Sequence, residues 1–167
     1  DMVRTNKFFE DARLPDGEGA TLADYKRSGF DRGHMSPAGN RWNQDAMAQS
    51  FSLANVVPQN RENNQRLWAR IETSVRKIAV SYDDTYVVTG PIFNGQQLQT
   101  IGPTRVFVPT QLFKVVYVPS RKLAFAVVGG QRLDQPLRHQ DNSRTRSSIG
   151  HPFSGHSENL KDQRPED

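Results

Sequence analysis

An α+β fold is predicted, one domain in which two strand-rich regions flank a single amphipathic helix, and three observations predict it. From about Asn63 the apolar residues Leu67, Trp68, Ile71, Val75 and Ile78 recur at threes and fours, which lays one apolar stripe along a helix. Residues 85 to 128 hold short Val- and Phe-rich runs cut by Gly, Pro and Ser, a pattern of strands joined by turns. The length of 167 residues suits one core rather than two.

Before the helix, residues 5 to 29 are rich in turn formers. Pro15-Asp16-Gly17 and Gly19 precede Thr21-Leu22-Ala23-Asp24-Tyr25, which reads as a loop with a short helical or extended insert. Residues 46 to 57 carry Met47, Phe51, Leu53, Val56 and Val57, and Phe51-Ser52-Leu53-Ala54 alternates as a strand does. Pro58 is expected to end regular pairing, because it has no N–H to donate.

The helix is expected to end near Ser81, where Asp83-Asp84 form a turn. Residues 85 to 93 then read as a strand interrupted at Gly90-Pro91, and 94 to 103 as a loop that turns at Asn94-Gly95. Runs at 104 to 108, 111 to 118 and 123 to 128 are separated by Pro109 and Pro119-Ser120, so 112 to 118 and 123 to 128 are expected to pair as a hairpin. Apolar content falls after Gly130. The domain is therefore placed at residues 1–153, followed by a polar tail at 154–167 expected to be mobile or to lie along the surface.

Composition narrows the function classes only loosely. With 35% hydrophobic and 24% charged residues, the chain reads as a folded soluble protein rather than a disordered one. It contains no apolar run near 18 residues, so no spanning helix and no membrane partner are expected. Lys and Arg number 22 against 18 Asp and Glu, a net charge of +4 compatible with a polyanionic substrate. The absence of cysteine excludes disulfides and thiolate metal sites. The chain begins Asp1-Met2 without an apolar leader, and a signal peptide, if there was one, is expected to have been removed.

The chemistry concentrates in Asp31-Arg32-Gly33-His34, where an acid, a base, a chain breaker and an imidazole adjoin. The flanks widen the signal: residues 29 to 41 read Gly-Phe-Asp-Arg-Gly-His-Met-Ser-Pro-Ala-Gly-Asn-Arg, and residues 51 to 72 read FSLANVVPQNRENNQRLWARIE. Over roughly residues 4 to 128 the chain resembles the non-specific DNA/RNA endonucleases with a DRGH motif, a family that includes secreted bacterial nucleases and mitochondrial endonuclease G. The spaced set Asn55, Pro58, Gln59, Asn64, Trp68, Glu72 and Arg76 makes the resemblance more specific than the four letters alone. It implies a ββα-metal (His-Me finger) nuclease fold, with a central antiparallel sheet and a metal-site helix. It also implies Mg²⁺-dependent hydrolysis of DNA and RNA that leaves 5′-phosphate ends, with Mn²⁺ able to substitute.

Each site residue has a functional and a plainer reading. The His34 imidazole, of near-neutral pKa, can take a proton from water attacking a phosphodiester if a neighbour fixes its tautomer; the plainer reading is a structural histidine. His139, His151 and His156 have no comparable setting. Asn64 offers the amide oxygen that a hard divalent ion wants, yet an asparagine at a helix start also reads as an N-cap. The resemblance matches Asn64 to the family's metal-binding asparagine. Glu72 lies eight positions on, about 12 Å along a regular helix, too far for both to ligate one ion directly. The resemblance gives Glu72 a role in holding metal-bound waters, with an irregular first turn at Asn64 as one way to bring the two closer. The plainer reading is a Glu72–Arg76 surface pair worth roughly 0.2–0.5 kcal/mol.

Arg76, Arg32 and Arg4 match the arginines that the family directs at phosphate, where a guanidinium gives two parallel hydrogen bonds. Asp31 is expected to brace its loop, with metal ligation as the alternative for a carboxylate beside a divalent site, and Gly33 to permit close backbone approach. Asn55 is expected, by resemblance, to position the histidine or the scissile phosphate. Trp68 is expected to anchor the helix in the core, and Lys114 is open to a phosphate-binding or a surface role. Family members carry further strands before the position of Arg4 and an apolar C-terminal segment, so a missing edge strand, an inhibitor protein or a second copy in a homodimer are the partners this leaves open. Secretion or extracytoplasmic delivery in a bacterium is expected ahead of mitochondrial residence. The alternative is a nucleic-acid-binding or interaction module that reuses the fold without catalysis.

Overall fold

The computed structural model describes residues 4–82 and 84–131. In chain order the elements are α1 (Leu22–Tyr25), β1 (Asp31–His34), α2 (Gln44–Gln49), β2 (Val56–Gln59), a π-helical turn (Asn63–Trp68) continuing into α3 (Ala69–Ser81), then β3 (Tyr86–Ile92), β4 (Thr100–Ile101), β5 (Val106–Phe107), β6 (Gln111–Val118) and β7 (Leu123–Gly130). Among the described residues the strands form three antiparallel sheets, β1-β2, β3-β6-β7 and β4-β5. The α+β expectation holds. Among the described residues no helix is long and apolar enough to cross a membrane.

The largest unit is the β3-β6-β7 sheet with α3 on one face. Along β6 burial alternates, so Leu112, Lys114, Val116 and Val118 point inward while Val115 and Tyr117 stay exposed. Val75 and Ile78 of α3 pack on Val116 and Val118, joined by Ile71 and Phe125. Each such side chain, fully buried, contributes about 1.5–3 kcal/mol. A second core gathers Tyr25, Leu53, Val56, Ile101 and Val108, and Phe8 bridges it to a third around Met47 and Phe51.

Four local expectations need correction. Residues 51–54 form no strand: Asn43 caps α2, its side chain accepting from the Ala46 N–H at 2.7 Å, and Phe51, Ser52 and Leu53 are buried in succession rather than alternately. The strand lies later, at Val56–Gln59, and Pro58 belongs to it opposite Arg32, as a two-stranded edge permits. Nor do Gly90-Pro91 interrupt β3, which pairs with β6 throughout. Gly90 is needed there because a Cβ would stand 2.6 Å from the ring of Phe113, its cross-strand partner. The 94–103 loop is shortened by β4. The expectations for Asp83, for His139, His151 and His156, and for the tail at 154–167 lie outside the described residues.

Candidate active site

β1 ends at His34, and Asn55 clamps the chain as it leaves. The Asn55 carbonyl accepts from the Met35 N–H at 2.8 Å, its Oδ1 accepts from the Ser36 N–H at 3.0 Å, and its Nδ2 donates to the carbonyls of Ser36 and Ser50, each at 2.9 Å. With every polar atom of its side chain engaged, Asn55 anchors the segment that directly follows His34.

The His34 ring is buried, edge-on to Phe51 at 4.9 Å between centroids and tilted against Phe8 at 5.4 Å. Its Nε2 is buried with no hydrogen-bond partner, so no protein group fixes the ring through that atom. Burial, then the positive charges of Arg4 and Arg41, push its pKa down to about 4. The imidazole is therefore neutral at neutral pH and able to accept a proton. Gly33 is required beside it: a Cβ there would run into the Gln59 carboxamide, which is wholly buried and has neither Oε1 nor Nε2 paired.

At the other end of β1, Asp31 reaches beyond its own loop, which it was expected to brace, to the start of the helix. Its carboxylate accepts from Asn64 Nδ2 at 3.1 Å and Gln65 Nε2 at 2.8 Å, with the Arg61 guanidinium at 3.5 Å. Asn64 is not the N-cap. Asn60 caps instead, its Oδ1 accepting from the Glu62 N–H at 3.0 Å and the Asn63 N–H at 3.3 Å, while the Asn64 N–H already donates within the helix to the Asn60 carbonyl at 2.8 Å. With Nδ2 held by Asp31, the Asn64 Oδ1 accepts no hydrogen bond among the described residues.

The first turn is irregular in a way that matters for Glu72. In a regular α-helix eight residues overshoot two turns by most of a residue, but residues Asn63–Trp68 are π-helical. One wide turn of about four to five residues plus one α turn of about 3.6 makes about eight, which returns Glu72 to the face of Asn64. Burial raises the Glu72 carboxyl, opposed by the charges of Lys114, Arg76 and Arg4. The Glu72–Arg76 ion pair does not form. Arg76 instead donates from Nη1 to Asn40 Oδ1 at 2.7 Å.

The arginines converge unequally. Arg4 acts electrostatically on both His34 and Glu72, so one guanidinium links the strand end to the helix. It lies 5.4 Å from the centroid of the Phe51 ring, its Nε donating to Asn6 Oδ1 at 2.7 Å, and Arg32 lies 4.4 Å above Phe8. Arg41 was missed by the sequence reading although it closes the Gly29-to-Arg41 stretch; it bonds the Ser36 hydroxyl and bears on His34. Lys114 is corrected: with 1% of its surface exposed it cannot meet phosphate from solvent. Trp68, at 1%, anchors the helix as expected.

The family model for DNA/RNA non-specific endonucleases matches residues 1–146. The chain belongs to that family. Members of this endonuclease family are metal-dependent. The chain is 42% identical to the zebrafish (Danio rerio) mitochondrial nuclease EXOG over 120 residues, 66% of this chain and 35% of that protein. It is 44% identical to human mitochondrial endonuclease G over 119 residues, 65% of this chain and 40% of that protein. It thus spans well under half the length of these two relatives. A solved structure, that of the EndoG/EndoGI complex addressing EndoG inhibition, superposes with a TM-score of 0.75 at 29% identity, covering 81% of this chain and 63% of that one. The ββα-metal nuclease fold is thereby established. The expectation of a secreted bacterial protein is overturned, because these curated relatives are mitochondrial nucleases.

Proposed function

We propose that this chain is a sugar-non-specific endonuclease that hydrolyses phosphodiester bonds in DNA and RNA, dependent on Mg²⁺ with Mn²⁺ able to replace it. The observation that carries the reading is His34, a buried imidazole held neutral at the end of a clamped strand and within the influence of Arg4 and Arg41. In this reading His34 takes the proton of an attacking water. Arg4, Arg32 and Arg76 donate to phosphate oxygens as charge grows, and Asn55 keeps the histidine in place. Because water is the nucleophile, the RNA 2′-hydroxyl is not required and both polymers are eligible.

The donor set fits a magnesium ion. Among the described residues no group of three or more His, Cys, Asp or Glu is gathered as zinc would need, whereas the unengaged Asn64 Oδ1 and the Glu72 carboxylate are hard oxygen donors. Asn64 would bind the ion, and Glu72 would hold its waters. When bound, such an ion supplies Lewis-acid stabilisation of the phosphate and of the leaving 3′-oxygen, which gives 5′-phosphate ends. We further propose one nuclease domain over residues 1–153, a protein inhibitor like the partner in the EndoG/EndoGI complex, and a homodimer.

Plasmid DNA and a defined RNA incubated with the full chain test this reading. Cleavage with Mg²⁺ that a chelator abolishes, and that His34→Ala loses, is the expected result. Tight binding of both polymers without turnover would replace it with a non-catalytic module.

A further inference from the structure

One charged side chain plays no part in the chemistry just described. Lys114 lies on the inner row of β6, between Leu112 and Val116, with 1% of its surface exposed. Its Nζ donates to Thr89 Oγ1 at 2.6 Å, from the paired position on β3, and sits 5.3 Å from the centroid of the buried Trp68 ring. Among the described residues no carboxylate comes within ion-pairing distance of 4.0 Å. An ammonium has three donors, and one hydroxyl and a π face satisfy it poorly, so burial here is costly. A methionine would continue the apolar row at lower cost.

Glu72, in the first turn of α3, stands four residues beyond Trp68, which ends the π turn, and so lies on the same side of the helix. Resting on the proposed nuclease reading, we propose that Lys114 is a positioning residue: its ammonium, fixed between Thr89 and Trp68, is the permanent counter-charge that keeps the Glu72 carboxylate in place at the site. Three cations influence Glu72, namely Lys114 from the sheet, Arg76 from its own helix and Arg4 from the N-terminal segment, and Lys114 is the strongest of them. Arg4 and Arg76 are the groups assigned to phosphate, so they turn to substrate when it binds. Lys114 cannot follow. It remains with Glu72 through the cycle, and burial, which disfavours the charge on each, is countered by the other partner.

The test compares wild type, Lys114→Met, Glu72→Gln and the double variant as full chains, with DNA cleavage kinetics, thermal melting and Mg²⁺ titration calorimetry. Lys114→Met is expected to fold but to melt below wild type, because the desolvated Glu72 carboxyl loses its strongest counter-charge, to lose about tenfold or more in kcat with KM within about twofold, and to bind Mg²⁺ about tenfold more weakly. The double variant is expected to be no slower than Glu72→Gln alone, since the lysine acts only through that carboxylate. Multiplying losses, or wild-type kcat and Mg²⁺ affinity in Lys114→Met, overturn the proposal. If Lys114→Met fails to fold, Thr89→Val, which keeps the charge and removes its acceptor, must lower kcat severalfold; wild-type kcat there overturns it equally. Inactive wild type would sink the nuclease reading and this inference together, whereas active wild type with an unaffected lysine variant sinks this inference alone.

Discussion

The β3-β6-β7 sheet with α3 and the corner built from β1, β2 and the π turn are held by different forces. The sheet has strands of seven and eight residues in continuous ladders, with an inner face that is aliphatic apart from the buried Lys114. The corner has two strands of four residues, and side-chain amides do much of the joining: Asn55 to Ser36 and Ser50, Asp31 to Asn64 and Gln65, and Gln131 to Asn60, Asn63 and Pro58. The corner also retains buried polar atoms without partners, at His34 Nε2, at Asn63 Oδ1 and at both ends of the Gln59 amide. An unsatisfied buried polar group costs about 1–3 kcal/mol. The sheet therefore rests on apolar burial, whereas the corner carries unpartnered polar atoms around the proposed site.

The sharpest way to break this contrast is to alter one residue in each region and compare. His34→Ala is expected to lower kcat by about 10²- to 10⁴-fold, the usual contribution of a general base, while the melting temperature changes little. Leu112→Ala, at a wholly buried position of the sheet, is expected to cost about 2–5 kcal/mol in denaturant unfolding and to leave activity per folded molecule unchanged. Equal losses of stability from both would mean that the two regions are not functionally distinct.

Asn55→Ala gives a smaller and mixed effect. It removes three side-chain hydrogen bonds and leaves the Ser36 N–H and the Ser50 carbonyl short of partners, a loss of about 1–3 kcal/mol. Because those bonds hold the segment directly after His34, kcat should fall while KM holds. A rise in KM alone would instead place Asn55 on the substrate.

The same contrast decides what could be read from sequence. The sheet and helix were legible because burial there follows the periods of two and of three to four; Val75, Ile78, Val116 and Val118 lie where periodicity puts them. The DRGH segment was legible as a motif, and the family resemblance singled out His34 within it and Asn64 beyond it as candidates. The corner's geometry was not. Phe51 to Leu53 alternates in polarity, yet the segment turns through a 3-10 helix toward Asn55 and buries all three residues. Lys114 and Arg41 show why charge alone misleads: the first is drawn under the helix by Trp68 and Thr89, and the second bears on His34 through a fold contact that no local spacing encodes. The π turn is likewise contacted from thirty-odd positions away, where the Asp31 carboxylate accepts from Asn64 and Gln65.

The least disruptive way to sharpen the contrast is through pH. His34 must be neutral to act as a base, and its pKa is held at about 4 rather than 6.5 by burial first, then by Arg4, then by Arg41. Acidification through 6.5 should leave kcat/KM on a short oligonucleotide intact, and the acid limb should appear near pH 4 to 5. Over the same interval the unfolded chain takes up a proton that the folded chain refuses, so stability falls as pH drops from 6.5 toward 4. Arg41→Gln removes one repelling charge and should move the acid limb upward by less than about one unit, since one pKa unit corresponds to about 1.4 kcal/mol and burial remains the larger cause. Arg4 is less informative here, because substituting it also removes a proposed phosphate contact. If the wild-type limb falls at 6.5, the imidazole is solvated when it reacts. If it falls near 4 but does not move in Arg41→Gln, burial by Phe8 and Phe51 sets it alone and the Arg41 charge is not felt.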